Sequence, residues 1–165
     1  MKGKGSGPLL LAIAAGVVAL DQLTKLWVVS SFHLYESREV IPGFFHLTYL
    51  TNTGAAFGFL AGKQNALRQV FFVGIAVAAL LAMAYFYRTL KDRSMLYTVA
   101  IGLICGGAVG NLIDRLRLSS VMDFLDFFIG RYHWPAFNVA DSAITTGVVL
   151  FLLASLLEGK KEQRH

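Results

Sequence analysis

Residues 70–87 read VFFVGIAVAALLAMAYFY, a run of eighteen positions without a charged side chain. A helix that crosses the hydrocarbon core of a bilayer needs roughly 20 such residues. The run therefore predicts a transmembrane helix, and three further apolar stretches of similar length predict three more. These stretches are residues 8–29, 96–112 and 137–157.

The composition agrees with a membrane protein. Of the 165 residues, 56% are hydrophobic and only 15% are charged, whereas a soluble domain of this size needs more polar surface to cover its core. We therefore predict one integral membrane domain over residues 1–165. The net charge of +5 is interpreted as a topology signal rather than as a footprint for nucleic acid.

The first span has an alternative interpretation. Lys2 and Lys4, followed by the apolar residues 9–20, resemble a cleavable secretory signal. However, the apolar character resumes at residues 26–29, so the segment is long enough to span. We expect an uncleaved helix.

Lysine and arginine predict the orientation. They are concentrated near the N-terminus, in the short link between spans two and three, and in the tail, whereas the connections 30–69 and 113–136 hold them at lower density. The concentrated residues are Lys2, Lys4, Arg88, Lys91, Arg93, Lys160, Lys161 and Arg164. Basic loops stay inside, which predicts cytoplasmic termini and outward-facing long connections.

The two outward connections differ in character. Residues 40–50, VIPGFFHLTYL, are rich in aromatic and β-branched side chains and predict strand. Together with Phe57 and Phe59 they predict a small periplasmic sheet on the membrane surface. The second connection carries aromatic residues typical of the headgroup zone, and we expect an outward loop or a short amphipathic helix there.

Polar residues interrupt three of the four spans. A charge inside a bilayer costs a few kcal/mol, so each needs a physical reason. With the predicted topology, all of them fall in the outer half of the membrane, which argues for one polar site. They are Asp21, Thr24, Lys25, Asn111, Asp114, Arg115, Asn138, Asp141, Ser142, Thr145 and Thr146.

Some of these residues also have structural explanations. Asp21 and Lys25 are spaced i, i+4, as in an ion pair on one helix face. Asn138 and Asp141 have capping-box spacing, so the alternative for Asp141 is a structural role at the start of a helix that Asn138 caps. Asp114, next to Arg115, fits a charge cluster at a helix end.

The residue types favour acid chemistry. His33, His46, His133, His165 and the lone Cys105 show no metal-ligand spacing, so we predict neither a metal nor a cofactor. Two neighbouring carboxyl groups can share a proton, one acting as base and the other as acid.

We assign the base to Asp141, because a helix N-terminus favours an anion, and the acid to Asp123. Asp126 competes for the acid role, and solvated loop acids are the alternative for both Asp123 and Asp126. Asp114 is less suitable because Arg115 is able to neutralise it.

Two other functions remain open. A proton-conducting or transporting bundle would use the intramembrane acids as a relay, although span two has no polar group between residues 70 and 84. An assembly protein would pack through Gly102, Gly106 and Gly110, whose spacing allows close helix contact.

Five blocks of sequence resemble the bacterial lipoprotein signal peptidases (signal peptidase II), a family of aspartyl peptidases. The blocks are DQLTK (21–25), NTGAAF (52–57), GGAVGNLIDR (106–115), VMDF (121–124) and FNVADS (137–142). They occur in order on the four predicted spans and their connections, and the resemblance covers nearly the whole chain.

The resemblance implies residue roles and a substrate. Asp123 and Asp141 would form the catalytic dyad, and Asp21, Lys25 and Asp114 would support it. The residues implied to contact substrate are Asn52, Gly54, Asn111, Arg115 and Asn138. The implied substrate is a diacylglyceryl prolipoprotein in the bacterial inner membrane, cut just before its lipidated cysteine at the outer leaflet. Sensitivity to the cyclic peptide globomycin is implied as well.

Overall fold

A computed structural model of the chain describes residues 6–54 and 66–162. Four helices dominate it: α1 (Ser6–Ser31), α2 (Ala66–Leu90), α3 (Met95–Leu118) and α4 (Val139–Glu162). All four are long and apolar enough to cross a membrane, and they cover the four predicted spans. The predictions that involve Lys2, Lys4, Phe57 and Phe59 concern residues outside the described part of the chain.

Helix α3 lies at the centre of the bundle and contacts each of the other three helices. Its glycines allow this close approach. Gly102 and Gly106 lie against Ile13, Ala14 and Val17 of α1. The predicted role of the glycine face in helix packing is thereby confirmed, within this chain.

Helix α3 is longer than its sequence predicts. It starts at the N-cap Ser94, whose side chain accepts a hydrogen bond from Leu96 N, and continues six residues beyond the expected end at 112. It ends at Ser119, which has a left-handed backbone and donates its N–H to Arg115 O. The polar residues of its last turns do not end the helix, because they have buried partners on neighbouring elements.

A four-stranded antiparallel sheet connects the helices at one end, in the order β1-β2-β3-β4. The strands are β1 (Ser37–Ile41), β2 (Phe45–Asn52), β3 (Val121–Ile129) and β4 (Tyr132–His133). The strand predicted over residues 40–50 is divided by a turn at Gly43, which has φ +71°. Residues 121–133 form strands where the sequence predicts a loop or short helix.

The sheet packs on the bundle through an apolar cluster of Val28, Phe32, Met122 and Phe124. Met122 and Phe124 alternate with Asp123 along β3, so the carboxyl group of Asp123 points away from this cluster. The register between β2 and β3 is irregular between Leu47 and Leu50, opposite this part of β3. Such irregularities redirect side chains beside functional sites.

Candidate active site

Asp123 and Asp141 line one cavity of about 480 Å³ between the sheet, α3 and α4. Asp123 reaches it from β3, and Asp141 from the first turn of α4. The interpretation of Asp123 as a solvated loop acid is wrong, because the residue is only 4% exposed. The sequence places Asp141 in the polar region of the spans and Asp123 in an outward connection, and the structure brings the two acids to the same hollow.

Asn138 contacts both acids. Its side-chain Nδ2 donates to Asp123 Oδ1 at 3.0 Å, while its backbone N–H donates to Asp141 Oδ2 at 3.2 Å. The same Nδ2 lies 3.1 Å from Met122 O and 3.2 Å from Asn111 Oδ1. This fully buried amide therefore fixes the two carboxyl groups relative to each other.

Two further asparagines donate hydrogen bonds to the remaining oxygens of Asp123 and Asp141, the pair called the dyad below. Asn52 Nδ2 donates to Asp123 Oδ2 at 3.1 Å, and Asn111 Nδ2 donates to Asp141 Oδ1 at 2.8 Å. Each carboxyl group thus accepts one hydrogen bond at each oxygen. Donors of this kind stabilise the ionised form of a carboxyl group.

Burial has the opposite effect on Asp123. Burial is the main cause that raises the pKa of this carboxyl, and the nearby charge of Asp141 adds to it. Against the hydrogen bonds from Asn52 and Asn138, the two together bring the pKa from its ordinary value of 3.8 to about 7. The carboxyl group is thus partly protonated at neutral pH. A protonated carboxyl can donate to a carbonyl oxygen, as a general acid must.

Gly54 and Arg115 border the same cavity. Gly54 N donates to Asn52 Oδ1 at 2.9 Å, and Arg115 Nη2 donates to Gly54 O at 3.3 Å. The guanidinium of Arg115 also stacks on Phe72, 4.4 Å from the ring centre. Arg115 therefore connects α2 and α3 to the end of β2.

A buried charge cluster lies behind the dyad. Lys25 Nζ is 2.8 Å from Asp21 Oδ2 and 2.7 Å from Asp114 Oδ2. The ion pair predicted between Asp21 and Lys25 is confirmed. Asp114 forms its close ion pair with Lys25 on α1 rather than with the adjacent Arg115, although the charge of Arg115 also acts on Asp114. The same Nζ lies 3.3 Å from Asn111 Oδ1, which connects the cluster to Asp141.

Backbone groups and one further side chain satisfy the remaining carboxylate oxygens. Ala140 N donates to Asp21 Oδ1 at 3.0 Å, and Met122 N donates to Asp114 Oδ2 at 3.2 Å. Gln22 Nε2 donates to Asp114 Oδ1 at 3.0 Å. Gln22 is the supporting residue that sequence reasoning missed, although an amide within an apolar helix is a signal for interhelical hydrogen bonding.

Asp126 lies elsewhere on the sheet. Its carboxyl is 2.9 Å from His133 Nδ1 and 3.5 Å from His46 Nδ1, and it does not line the cavity of the two aspartates. The structure therefore separates Asp126 from Asp141. Among the described residues, no group of three His, Cys, Asp or Glu side chains has the arrangement of a metal site.

The walls of the cavity are mainly apolar. The apolar lining residues are Val121, Trp134, Pro135, Ala136, Phe137 and Ile144. Apolar walls that carry polar groups, here including both acids, are the usual form of a ligand site.

Known proteins share this sequence and fold. The model of the signal peptidase II family matches residues 13–157. The lipoprotein signal peptidase of Syntrophus aciditrophicus is 46% identical over 94% of this chain and 96% of its own length. That of Syntrophotalea carbinolica is 48% identical over 94% and 95%.

Solved structures of bacterial membrane enzymes have a similar fold. One bacterial membrane enzyme superposes with a TM-score of 0.82 at 39% identity, covering 92% of this chain and 90% of its own. A second has a TM-score of 0.77 at 40% identity, with 89% and 92% covered.

Proposed function

The chain belongs to the signal peptidase II family and is a bacterial multi-pass membrane peptidase; from this premise we propose that it is an aspartyl endopeptidase acting on prolipoproteins. Its substrate would carry a diacylglyceryl group on the cysteine that follows the cleaved bond. The observation that carries the proposal is the shared cavity of Asp123 and Asp141, with Asn138 bonded to both.

Asp141 would act first as the base. Its carboxylate takes a proton from a water molecule, whose oxygen attacks the scissile carbonyl carbon. Its position in the first turn of α4 favours the anion, and Asn111 and the Asn138 N–H hold its two oxygens. Proton transfer and attack by water are then possible without a covalent enzyme intermediate.

Asp123 would act as the acid. With its pKa raised to about 7 by burial and by the nearby charge of Asp141, its carboxyl donates a hydrogen bond, and then the proton, to the scissile carbonyl oxygen. Collapse of the tetrahedral intermediate breaks the C–N bond, and the amine of the lipidated cysteine leaves with the proton that Asp141 had taken up. Asp123 regains its proton as the new carboxyl group forms.

The setting suits a lipid-bearing substrate. The cavity lies at the sheet end of the bundle, where α1 and α3 end and α2 and α4 begin. A signal helix is able to lie along the bundle while its acyl chains remain in hydrocarbon. Arg88, Lys91 and Arg93 lie around the link between α2 and α3, at the opposite end of the bundle. Their basic charge supports a cytoplasmic position for that end and an outer-leaflet position in the inner membrane for the cavity.

Asn52, Gly54, Asn111, Arg115 and Asn138 would bind or position the peptide. Most donate to or accept from one another at the cavity, and a peptide backbone exposed at the end of its helix offers matching groups. A cyclic peptide such as globomycin would compete for the same place, so we expect inhibition by it. Asp21, Lys25 and Asp114 would support the site from behind.

The test is cleavage of a purified diacylglyceryl precursor, followed as a gel shift. Asp123→Asn and Asp141→Asn should each lower the cleavage rate by about 10²- to 10⁴-fold, the contribution typical of general acid–base groups. Asp126→Asn is the matched control, since this acid lies on the same strand outside the cavity, and it should retain activity. Normal maturation by either dyad variant would exclude the mechanism.

The transport hypothesis can be tested in the same preparation. The polar cluster around Lys25 lies near one end of the bundle, and at the other end buried Thr98 has no hydrogen-bond partner among the described residues. A continuous polar relay through the depth is therefore not supported. Proteoliposomes should show no proton or solute flux under conditions in which the precursor is cleaved.

A further inference from the structure

Two threonine hydroxyl groups border the cavity on the side that faces hydrocarbon. Thr145 and Thr146 line the same hollow as Asp141, and both side chains are exposed on the outside of the bundle. Thr145 follows Asp141 by four residues and Thr146 follows Ser142 by four, so each lies one turn, about 6 Å, further along the helix axis. The pair therefore marks a level deeper in the membrane than the carboxyl groups.

The hydrogen bonding of these two hydroxyls differs from that of several other helical hydroxyls, which bond to their own backbone. Thr24 Oγ1 donates to Leu20 O at 2.8 Å, Thr89 Oγ1 to Tyr85 O at 3.0 Å and Ser142 Oγ to Asn138 O at 2.9 Å. Within the described part of the chain, Thr145 and Thr146 have no such bond. An unpaired hydroxyl in hydrocarbon is unfavourable, so an acceptor on a bound molecule would satisfy it.

We propose that Thr145 and Thr146 donate hydrogen bonds to the ester carbonyl oxygens of the substrate's diacylglyceryl group. The inference rests on the proposed function. It adds that the enzyme recognises the glyceryl esters themselves, and so places the lipidated cysteine at the dyad. The two threonines are positioning residues, because they act on the lipid and not on the reacting bond.

The geometry favours ester carbonyls over other acceptors. The acyl chains extend from the cysteine toward the bilayer centre, the direction in which α4 runs from Asp141. The esters lie a few bonds beyond the cysteine sulfur, and therefore at a level beyond the scissile bond. Carbonyls inside the signal helix are already bonded within it, whereas ester carbonyls in hydrocarbon have no donor.

The experiment compares two lipidated precursors of identical peptide sequence. One carries the natural diacylglyceryl group, and the other carries a dialkylglyceryl group, in which ether linkages replace the esters and remove the carbonyls. Both are assayed in the same detergent micelles, with kcat and KM determined for wild type, Thr145→Val, Thr146→Val and the double variant. Valine keeps the shape of threonine and removes the hydroxyl.

Wild type should cleave the ester substrate with a kcat/KM about three- to tenfold higher than the ether substrate, as expected for one or two neutral hydrogen bonds. The double valine variant should reduce the ester substrate to the ether level and leave the ether substrate unchanged. Thr145→Ser combined with Thr146→Val, which has one hydroxyl more than the double valine variant, should show part of the ester preference. Thr89→Val, on another helix, should cleave both substrates as wild type does.

Three results would overturn the inference. Equal losses on the two substrates would assign the hydroxyls to the peptide, for instance to the unpaired carbonyls at the end of the signal helix. Unchanged rates in the double variant, or a wild type without ester preference, would show that the hydroxyls do not bind the lipid. Failure of wild type to cleave either precursor would instead refute the proposed function.

Discussion

Asn138 and Asp141 exchange two hydrogen bonds across the first turn of α4: Asp141 N donates to Asn138 Oδ1 at 2.9 Å, and Asn138 N donates to Asp141 Oδ2 at 3.2 Å. This reciprocal pair is the capping box that the spacing predicts. The box leaves Asp141 Oδ1 bonded to Asn111 and facing the cavity. Capping the helix and serving as a base are therefore compatible roles for the same carboxylate.

Replacement of Asn138 should separate these two roles. Serine is also a good N-cap, so Asn138→Ser should keep most of the stability. It lacks the amide that donates to Asp123, so its kcat/KM should fall about ten- to hundredfold, the range expected for a hydrogen bond to a charged or polarised acid. Asn138→Ala should lose the cap as well and be about 1 kcal/mol less stable than Asn138→Ser. Precursor cleavage and thermal unfolding in detergent measure the two effects, and wild-type activity in Asn138→Ser would remove the amide from the mechanism.

Lys25 should be essential for stability. It is 3% exposed and lies between Asp21 and Asp114, so Lys25→Met leaves two buried carboxylates without their cation. Removing one partner of a buried ion pair typically lowers the free energy of unfolding by about 3–5 kcal/mol. Thermal unfolding should show this loss, and replacing both aspartates by asparagine in the same variant should recover part of it. Lys91→Met, at an exposed lysine, is the control; equal midpoints for the two single variants would contradict the prediction.

Gly107 should not tolerate a side chain. A Cβ at this position would contact Ala140 O and come within 2.7 Å of Ile144 Cγ1, so Gly107→Ala must push α3 and α4 apart near the bond from Asn111 to Asp141. We expect a loss of about 1–3 kcal/mol, together with reduced cleavage. Gly16→Ala is the matched control, since a Cβ there meets nothing within 4 Å, and it should be neutral or slightly stabilising. Equal stability of the two variants would refute the close contact.

Cleavage should decline in alkaline solution. The acid role of Asp123 needs the proton, and its pKa is raised to about 7. Above this value kcat/KM should therefore fall by about tenfold for each further pH unit. Initial rates across a buffer series, corrected for any loss of folded enzyme, test this; a rate that stays constant to pH 9 would show that Asp123 does not act as the acid.

The same raised pKa predicts how stability depends on pH. The folded state holds a proton on Asp123 that the unfolded chain releases near the ordinary value of 3.8. Stability should therefore decrease as the pH rises from about 4 to about 7, by at most about 4 kcal/mol from this group. Asp123→Asn should remove that part of the pH dependence. Unfolding midpoints at pH 5 and pH 8 provide the comparison, and identical shifts in both proteins would contradict the linkage.

The parts of the fold that depend on local pattern could be predicted from the sequence. Four apolar runs of bilayer length predict four helices, and the spacing of Asp21 and Lys25 predicts their ion pair. The environment of Asp123 could not be predicted this way. Residues 121–129, VMDFLDFFI, place acids three positions apart, a spacing that fits one face of a helix better than the alternation of a strand. The burial of this acid depends on β2 and Asn138, which are distant in sequence.

The pairing of Asp114 with Lys25 was unpredictable for a related reason. Arg115 is its neighbour in sequence, but on a helix adjacent residues point in different directions. Only the approach of α1 to α3 places Lys25 beside Asp114. Interhelical contacts of this kind have no local signature, and the glycine spacing of α3 indicates only that some helix approaches closely.

The position of Asp141 in the last helix has a consequence for biosynthesis. Residues 138 and 141 enter the site only when α4 has been synthesised and inserted, because Asn138 caps this helix and Asp141 lies in its first turn. A nascent chain with three inserted helices already contains Asp123, but it lacks the second carboxyl group and the asparagine that holds the pair together. Activity that depends on the proposed pair of carboxyl groups should therefore emerge only at the end of assembly.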